Sequence, residues 1–413
     1  MNIKNDGTMN YCRWANDFSR SRKIDQQSPI KFFQEDMSGI RKKMLDGEQI
    51  SSCGACRTME KHGKISGRQR QLLRAGIKLD NFEKTMLSSP MFRYFNQSYE
   101  QEGKTNLSPI DWQIDLGNHC NSACVYCNPV SSSKLASEFM KLGLINELPK
   151  SSWVENEQIL SSLIEDLDNN DELSFIQFLG GETLITPAFR RILRELDNKG
   201  VGQRASIGFT TNLTVWDDEI IDLLRGFHSV NLGMSVDCLH PVNDYIRYPS
   251  KINEVEKNLE KWIQEGRKND WFLQLRITPN ALNVLYIDTI YQYAFDHEVP
   301  IESCNFLFDP PFMKISLLDQ PMRELAMDRL GKWIESHGGM RDPEIVNTRN
   351  MTMAKQQVVE DASSYLRYLK YEPEETHLMP DLIEYINKLE KNRNNSILEY
   401  APEYEKFLRS FGY

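Results

Sequence analysis

The sequence predicts an α/β protein built around a partial (β/α)6 TIM-type barrel, with a small cysteine-bearing N-terminal module and a helical C-terminal region. Between Asp111 and Asp309, short β-branched or aromatic runs alternate with amphipathic stretches, which is typical of strand–helix units around parallel strands. Six such units can be counted, whereas a complete barrel of this type has eight. The core is therefore expected to be an incomplete barrel.

Six short apolar runs are the strand candidates, at 112–116, 174–179, 205–210, 229–236, 272–278 and 304–308. Amphipathic segments with polar or glycine boundaries lie between them, at 154–167, 187–198, 217–226, 252–266 and 284–295. In barrels of this kind, catalytic residues lie on loops at the C-terminal ends of the strands. Functional motifs are expected at those positions.

Three domains are predicted. Residues 1–105 form the N-terminal module, residues 106–310 the core, and residues 311–413 a C-terminal cap that begins after Pro310-Pro311. The N-terminal module has a helical pattern over 29–45. Helix candidates in the cap are 322–337, 350–371, 381–392 and 402–411.

Composition and charge restrict the function. The 413 residues are 40% hydrophobic and 26% charged, as in a folded protein, and the net charge of −10 disfavours broad binding of nucleic acid. No apolar run approaches the roughly 20 residues that cross a bilayer, so a cytoplasmic protein without membrane partners is expected. The eight cysteines are too few and too irregular for a disulfide framework, and two tight clusters indicate metal chemistry.

The first cysteine cluster directly follows the first predicted strand. Cys120, Cys124 and Cys127 lie within eight residues and can supply three ligands of a [4Fe-4S] cluster from one loop. The fourth iron then remains open for a small ligand. A zinc site completed by His119 or by a distant residue is the alternative that the loop alone leaves open.

Motifs at later strand ends favour the iron–sulfur interpretation. The loop resembles the CxxxCxφC motif of the radical S-adenosylmethionine (SAM) superfamily, with Tyr126 at the aromatic position, and Gly180-Gly181-Glu182 resembles its GGE motif. The resemblance implies that Tyr126 lies beside the SAM adenine, although a loop aromatic can also serve packing alone. It also implies that the glycines admit the methionyl group and that Glu182 helps to receive its ammonium.

Two further strand ends add candidates for SAM binding. Asn212 ends a segment similar to the TNG-type turn of the family, with Leu213 in place of the glycine. By the same resemblance, Ser235 contacts the ribose and Arg247 binds the carboxylate, which a bidentate guanidinium suits. An exposed surface arginine is the alternative for Arg247. Cys238 is either a small buried hydrophobic residue or a redox-active group near the substrate.

The second cysteine cluster lies in the N-terminal module. Cys53 and Cys56, followed by Glu60, Gly63, Ser66 and Arg68, resemble the C-x-x-C-x-x-x-E-x-x-G-x-x-S-x-R pattern of radical SAM proteins with a twitch-type domain, related to SPASM domains. With Cys12 upstream, the resemblance implies an auxiliary [4Fe-4S] cluster, whose fourth ligand would be Cys304, another side chain, a water or the substrate. One alternative is zinc held by the three cysteines and His62, and the other is that the module binds no metal.

The resemblance implies an enzyme that reductively cleaves SAM at the [4Fe-4S] cluster to a 5′-deoxyadenosyl radical. The radical would abstract hydrogen from a peptide, a protein or a small polar substrate, with a flavodoxin or ferredoxin as reductant. The helical cap would keep solvent from the radical. RNA or nucleotide modification is an alternative that the acidic chain counts against. The other alternative is a non-catalytic iron–sulfur or zinc scaffold. No catalytic side chain is assigned.

Overall fold

The computed structural model describes residues 1–13, 15, 21–61, 66–149, 153–302, 306–338 and 351–413. The strands among them are β1 (Asn2–Ile3), β2 (Thr8–Asn10), β3 (Arg22–Lys23), β4 (Asp111–Asp115), β5 (Phe175–Leu179), β6 (Ser206–Thr211), β7 (Ser229–Ser235) and β8 (Phe272–Arg276). No described helix combines the length and the apolar character that crossing a bilayer requires.

The helices of the N-terminal half are α1 (Pro29–Lys31), α2 (Ser38–Leu45), α3 (Gly54–Lys61), α4 (Gly67–Arg74), α5 (Phe82–Leu87), α6 (Met91–Glu100), α7 (Ser133–Lys141), α8 (Glu157–Asp168) and α9 (Pro187–Asn198). Those that follow are α10 (Asp218–Leu224), α11 (Val242–Ile246), α12 (Ile252–Lys268), α13 (Ile287–Asp296), α14 (Gln320–Ser336), α15 (Met353–Tyr371), α16 (Met379–Arg393), α17 (Ile397–Tyr400) and α18 (Glu405–Ser410).

One compact unit comprises Met1–Gly117, Ser151–Phe178 and Arg191–Ser206. Its strands lie in the order β3-β2-β1-β4-β5. β1 and β2 are an antiparallel pair joined by a turn in which Gly7 has a φ of 78°, a conformation that favours glycine. β1 also pairs in parallel with β4, so the N-terminal segment extends the sheet beside the first predicted core strand.

The other compact unit comprises Asn118–Lys150, Leu179–Arg190 and Ile207–Tyr413. Its strands lie in the order β6-β7-β8, and β7 and β8 run parallel. One face of these strands is apolar and covered by helices: the ring of Phe209 on β6 lies 5.4 Å from that of Phe189 on α9 and 6.0 Å from that of Trp262 on α12. The packing of aromatic rings on this face fixes the helices against the strands.

Helices α13 to α15 form a layer within the same unit. Tyr291 on α13 donates its phenol hydroxyl to the carboxylate of Asp361 on α15 at 2.8 Å, and both side chains are buried. The rings of Tyr291 and Trp333 on α14 lie 5.5 Å apart. Helices α14, α16 and α18 correspond to the predicted 322–337, 381–392 and 402–411, and α15 corresponds to the described part of the predicted 350–371.

The predicted fold class is confirmed, because five of the six strand candidates form β4 to β8 and helices alternate with them. The sixth candidate is only partly described: residues 306–308 form no strand, and 303–305 lie outside the described residues. Ile301 instead forms an isolated parallel bridge with Leu275. The compact units divide the chain at positions other than the predicted domain boundaries, which stay a prediction.

Candidate functional site

Three thiols lie in the segment 118–128 after β4, here called the cysteine loop. Cys120, Cys124 and Cys127 are half-buried, and none forms a disulfide. The amide of Cys127 donates to the carbonyl of Cys124 at 3.0 Å, and the amide of Cys120 donates to Oγ of Ser133 at 3.2 Å. Backbone contacts and the first turn of α7 therefore hold the loop in place.

The electrostatics of these thiols suit coordination by metal. Burial raises the pKa of all three, that of Cys120 to about 11. The charges of Cys127 and Cys120 each raise the pKa of Cys124 further. Buried thiolates need a compensating positive charge, which iron supplies when it coordinates sulfur. The donor set thus fits a [4Fe-4S] cluster.

Within the described ranges, no three or more His, Cys, Asp and Glu side chains are arranged as a ready-made site for a metal ion.

The two glycines of the GGE motif are each required for a different structural reason. Gly180 has a φ of 119°, which strongly favours glycine over other residues. A Cβ on Gly181 would overlap the carbonyl oxygen of His119, so only glycine lets this turn approach the cysteine loop. The amide of Glu182 then donates to the same His119 carbonyl at 2.8 Å. The motif therefore joins the end of β5 to the cysteine loop.

The carboxylate of Glu182 is buried and accepts two backbone hydrogen bonds. Its two oxygens accept from the amides of Leu184 at 3.2 Å and of Asn212 at 2.6 Å. Burial raises the pKa of Glu182 to about 7, although the backbone donors oppose that shift. The side chain thus connects the ends of β5 and β6, a structural role that the sequence motif did not reveal.

Asn212 also contacts the cysteine loop. Its side-chain amide donates to Oδ1 of Asn121 at 2.9 Å and to Oγ of Ser122 at 3.0 Å, while its Oδ1 accepts from the amide of Thr214 at 3.0 Å. The next residue, Leu213, has a φ of 64° and a fully buried side chain. Leucine therefore takes a left-handed conformation here, where the family turn has glycine.

Arg247, Asp237 and Tyr126 form a buried group of polar side chains. The guanidinium donates through Nε at 2.8 Å and Nη2 at 3.1 Å to the two oxygens of Asp237. Tyr126 donates its hydroxyl to the same carboxylate at 2.8 Å, and its ring centroid lies 5.8 Å from the guanidinium carbon. Arg247 is only 6% exposed, so it is not a surface arginine.

Asp237 is the central member of this group, and the sequence did not single it out. It also accepts from the amide of Thr278 at 2.9 Å. The signal was present in the sequence, because Asp237 belongs to the Ser-Val-Asp triplet that contains Ser235. A buried carboxylate needs paired donors, and Arg247 was the nearest cationic candidate.

The remaining core candidates lie at the end of β7. Ser235 is the last residue of the strand, in register with Arg276, and its side chain is half-buried. Cys238 is fully buried, as a small hydrophobic residue would be, and burial raises its pKa well above the usual range. This agrees with the packing interpretation of Cys238.

Helix α16, 260 to 270 residues later in the chain, also holds the cysteine loop. Arg393 donates through Nη2 to the carbonyl of Ala123 at 2.7 Å, and Tyr385 donates its hydroxyl to the carbonyl of Val125 at 2.9 Å. These carbonyls flank Cys124. Arg393 also forms a buried ion pair with Glu138 at 2.6 Å. No sequence motif indicated these contacts, because they join distant parts of the chain.

The N-terminal thiols are also brought together. Burial raises the pKa of Cys53, and the charges of Cys12 and Cys56 raise it further. Tyr11, beside Cys12, shares a hydrogen bond with Ser52, beside Cys53. The structure thus places the predicted upstream cysteine beside the CxxC pair.

The other residues of the N-terminal pattern bind one another. The hydroxyl of Ser66 donates to Oε1 of Glu60 at 2.5 Å, and Nε of Arg68 donates to the same oxygen at 2.7 Å. These bonds lower the pKa of Glu60 to about 2. Glu, Ser and Arg in the pattern therefore connect α3 to α4. His62, Gly63 and Cys304 lie outside the described residues.

Comparison with family models gives a match within the predicted core. Residues 114–278 match the model of the Radical SAM superfamily, whose members bind SAM and a [4Fe-4S] cluster. No curated protein matches the sequence.

Three solved structures are similar in fold. Streptococcus suis SuiB bound to SAM has 11% identity over 73% of this chain and 64% of its own, with a TM-score of 0.38. The enzyme anSMEcpe with bound AdoMet has 14% identity over 55% and 59%, with a TM-score of 0.39. TsrM from Kitasatospora setae, with tryptophan and aza-SAM bound, has 11% identity over 55% and 39%, with a TM-score of 0.36. This chain spans less than two thirds of the length of each.

Proposed function

We propose that this chain, whose residues 114–278 belong to the radical SAM superfamily, is an enzyme that reductively cleaves SAM and abstracts a hydrogen atom from its substrate. The observation that carries the proposal is the close packing of the cysteine loop against the GGE turn, through Gly181, Glu182 and the His119 carbonyl. This packing brings the thiols beside the backbone that would receive the methionyl group.

Cys120, Cys124 and Cys127 would hold the [4Fe-4S] cluster. When bound, the cluster supplies the electron for cleavage of the C–S bond of SAM, and the open iron provides a site for its amino and carboxylate groups. The protein contributes a loop with little freedom to rearrange, because Asn212, Ser133 and Arg393 each bind its backbone or side chains. These contacts would keep the three thiols directed to one place.

The SAM molecule itself would contact several strand ends. The carbonyls of Gly180 and Gly181 and the carboxylate of Glu182 are proposed to accept from its amino group, since each oxygen of Glu182 that accepts one backbone amide has room for a second donor. Tyr126 would lie beside the adenine and Ser235 beside the ribose. Asp237 engages the Nε–Nη2 edge of Arg247, so the Nη1–Nη2 edge is the one that would face a carboxylate.

The substrate is proposed to be a peptide, a protein or a small polar molecule, as the twitch and SPASM resemblance implies. A flavodoxin or ferredoxin would deliver the electron. The helical C-terminal region would exclude water from the radical, and the contacts of α16 with the carbonyls on both sides of Cys124 support its presence beside the site.

An auxiliary [4Fe-4S] cluster is proposed at Cys12, Cys53 and Cys56. Arg57 and Arg68 support this proposal, because their charges lower the pKa of Cys53 and so oppose the larger effect of burial, which raises it. A cation close to thiolates favours their charged form, which is the form that binds iron.

The test is SAM cleavage by anaerobically reconstituted protein, with dithionite as reductant and 5′-deoxyadenosine as the product measured. We expect the triple variant Cys120→Ala, Cys124→Ala, Cys127→Ala to form none, whereas Cys238→Ala, which also removes buried sulfur, should keep the activity. Protein that binds zinc in place of iron and forms no 5′-deoxyadenosine would refute the proposal. A double variant of Cys53 and Cys56 to Ala should lose about half of the iron if the auxiliary cluster exists.

A further inference from the structure

Arg276 is the last residue of β8 and lies in register with Ser235, the last residue of β7. Side chains alternate along a strand, so Arg276 lies on the face opposite to Leu275, which is fully buried. Arg276 itself is 26% exposed. The sequence motifs did not single out this cation, and no step of the proposed SAM binding uses it.

The face that carries Arg276 is the one opposite to the helices. Phe209 on β6 points to α9 and α12, so its neighbour Thr210 points to the other face. In barrels built of strand–helix units, ligands bind at the C-terminal strand ends, on the side that helices do not cover. Arg276 and Thr210 both occupy such positions.

Contacts with β6, β7 and Glu302 help to place the guanidinium. Its Nη1 donates to Oγ1 of Thr210 at 2.6 Å, and its Nε lies 2.8 Å from Oε2 of Glu302. Gly233 on β7 lies beneath it, where a Cβ would come within 2.5 Å of Nε. The arginine therefore crosses β7 to reach β6, and glycine at position 233 makes that path possible.

Arg276 and Glu302 present a positive and a negative charge to solvent side by side. Glu302 is 39% exposed, so a ligand can reach its carboxylate as well as the guanidinium. A guanidinium has five N–H donors in a planar fork, which suits a carboxylate, and a carboxylate accepts from an ammonium. Because the pair is neutral as a whole, a neutral zwitterion binds it without leaving a net buried charge.

We propose that Arg276 and Glu302 form a substrate subsite for a small zwitterion of the amino-acid type, with its carboxylate on Arg276 and its ammonium on Glu302. Ser235 is adjacent in register, so such a molecule would lie next to the position proposed for the SAM ribose. The inference rests on the proposed SAM-cleaving function and names the chemical class of its substrate.

The experiment uses reconstituted, SAM-loaded protein and the twenty free L-amino acids as probes. Binding is followed by the shift in melting temperature and by the increase in 5′-deoxyadenosine formation over the rate without amino acid. We expect at least one amino acid to act in both assays, and its methyl ester and its des-amino analogue to bind about 10- to 100-fold more weakly. If no amino acid acts at millimolar concentration, or if the ester binds equally well, the proposal is wrong.

Variants separate this subsite from SAM cleavage. Arg276→Gln and Glu302→Gln should each weaken amino-acid binding by about 10- to 100-fold while 5′-deoxyadenosine formation without amino acid stays within about 2-fold of wild type. Arg225→Gln is the matched control, since Arg225 also pairs with a glutamate, Glu265, but on the helical side. Equal amino-acid affinity of Arg276→Gln and Arg225→Gln would refute the subsite. If the wild-type protein forms no 5′-deoxyadenosine even without amino acid, the proposed SAM cleavage itself is wrong.

Discussion

Replacing Arg393 by methionine should lower the free energy of unfolding and reduce the amount of iron bound at the cysteine loop. The side chain of Arg393 is 1% exposed and that of its partner Glu138 is 7% exposed. Removing one partner of a buried ion pair costs about 3–5 kcal/mol, because the other charge stays buried. Asn392 still donates to Glu138 at 2.9 Å, which favours the lower end of that range. The carbonyl of Ala123 also loses a donor, at about 1 kcal/mol.

The expected loss in the free energy of unfolding is therefore about 4 kcal/mol. Urea denaturation of the apoprotein measures it, and iron content after reconstitution reports on the loop. Arg409→Met is the control, because Arg409 pairs with Glu405 in the same C-terminal region but both side chains are more than half exposed. That variant should lose less than about 0.5 kcal/mol. Equal stability and equal iron content of the two variants would refute the reasoning.

Three further predictions concern single residues. Leu213→Gly should be at least as stable in thermal unfolding as Leu213→Ala. Both variants lose the buried leucine side chain, but only glycine relieves the strain of a φ of 64°, which is worth about 1 kcal/mol. A clearly less stable glycine variant would argue against strain at this turn. Gly181→Ala should abolish formation of 5′-deoxyadenosine, since its methyl group would overlap the His119 carbonyl. Gly67→Ala is the control and should keep this activity, because there is open space around Gly67. Wild-type activity of Gly181→Ala would contradict the role of the contact with His119. Burial raises the pKa of Asp115 to about 6, above its usual 3.8, so the folded chain holds this proton more tightly and loses stability as the pH rises through that interval. Asp115→Asn should therefore be more stable than wild type by about 3 kcal/mol at pH 7.5 and about equal to it at pH 3.5. Urea titrations at the two pH values measure this difference, and the same difference at both would show that the pKa shift is not its cause.

Local patterns in the sequence predicted much of the fold. Helix α9 coincides with the predicted 187–198, because its apolar residues repeat with helical spacing between clear boundaries. β1 and its pairing with β4 were not predicted. A strand of two residues is too short to show a period of two, and its partner lies more than a hundred residues away.

The candidate site shows the same division between local and distant information. The cysteines and the GGE glycines could be found from spacing, because one loop and one turn carry them. Tyr126 and Arg247 were predicted as well and stay predictions for SAM binding, whereas their common partner Asp237 was not predicted, since only the folded chain brings the three side chains together. The two oxygens of Glu182 likewise bind amides that no linear motif specifies.

The contact between α16 and the cysteine loop has a consequence for the order of events during synthesis. Ala123 and Val125 leave the ribosome long before Arg393 and Tyr385, which bind their carbonyls. Until the last quarter of the chain has emerged, the thiols belong to a loop that lacks these supports. Stable insertion of a cluster would then follow the completion of translation, and nascent chains that stop before α16 would be released without iron.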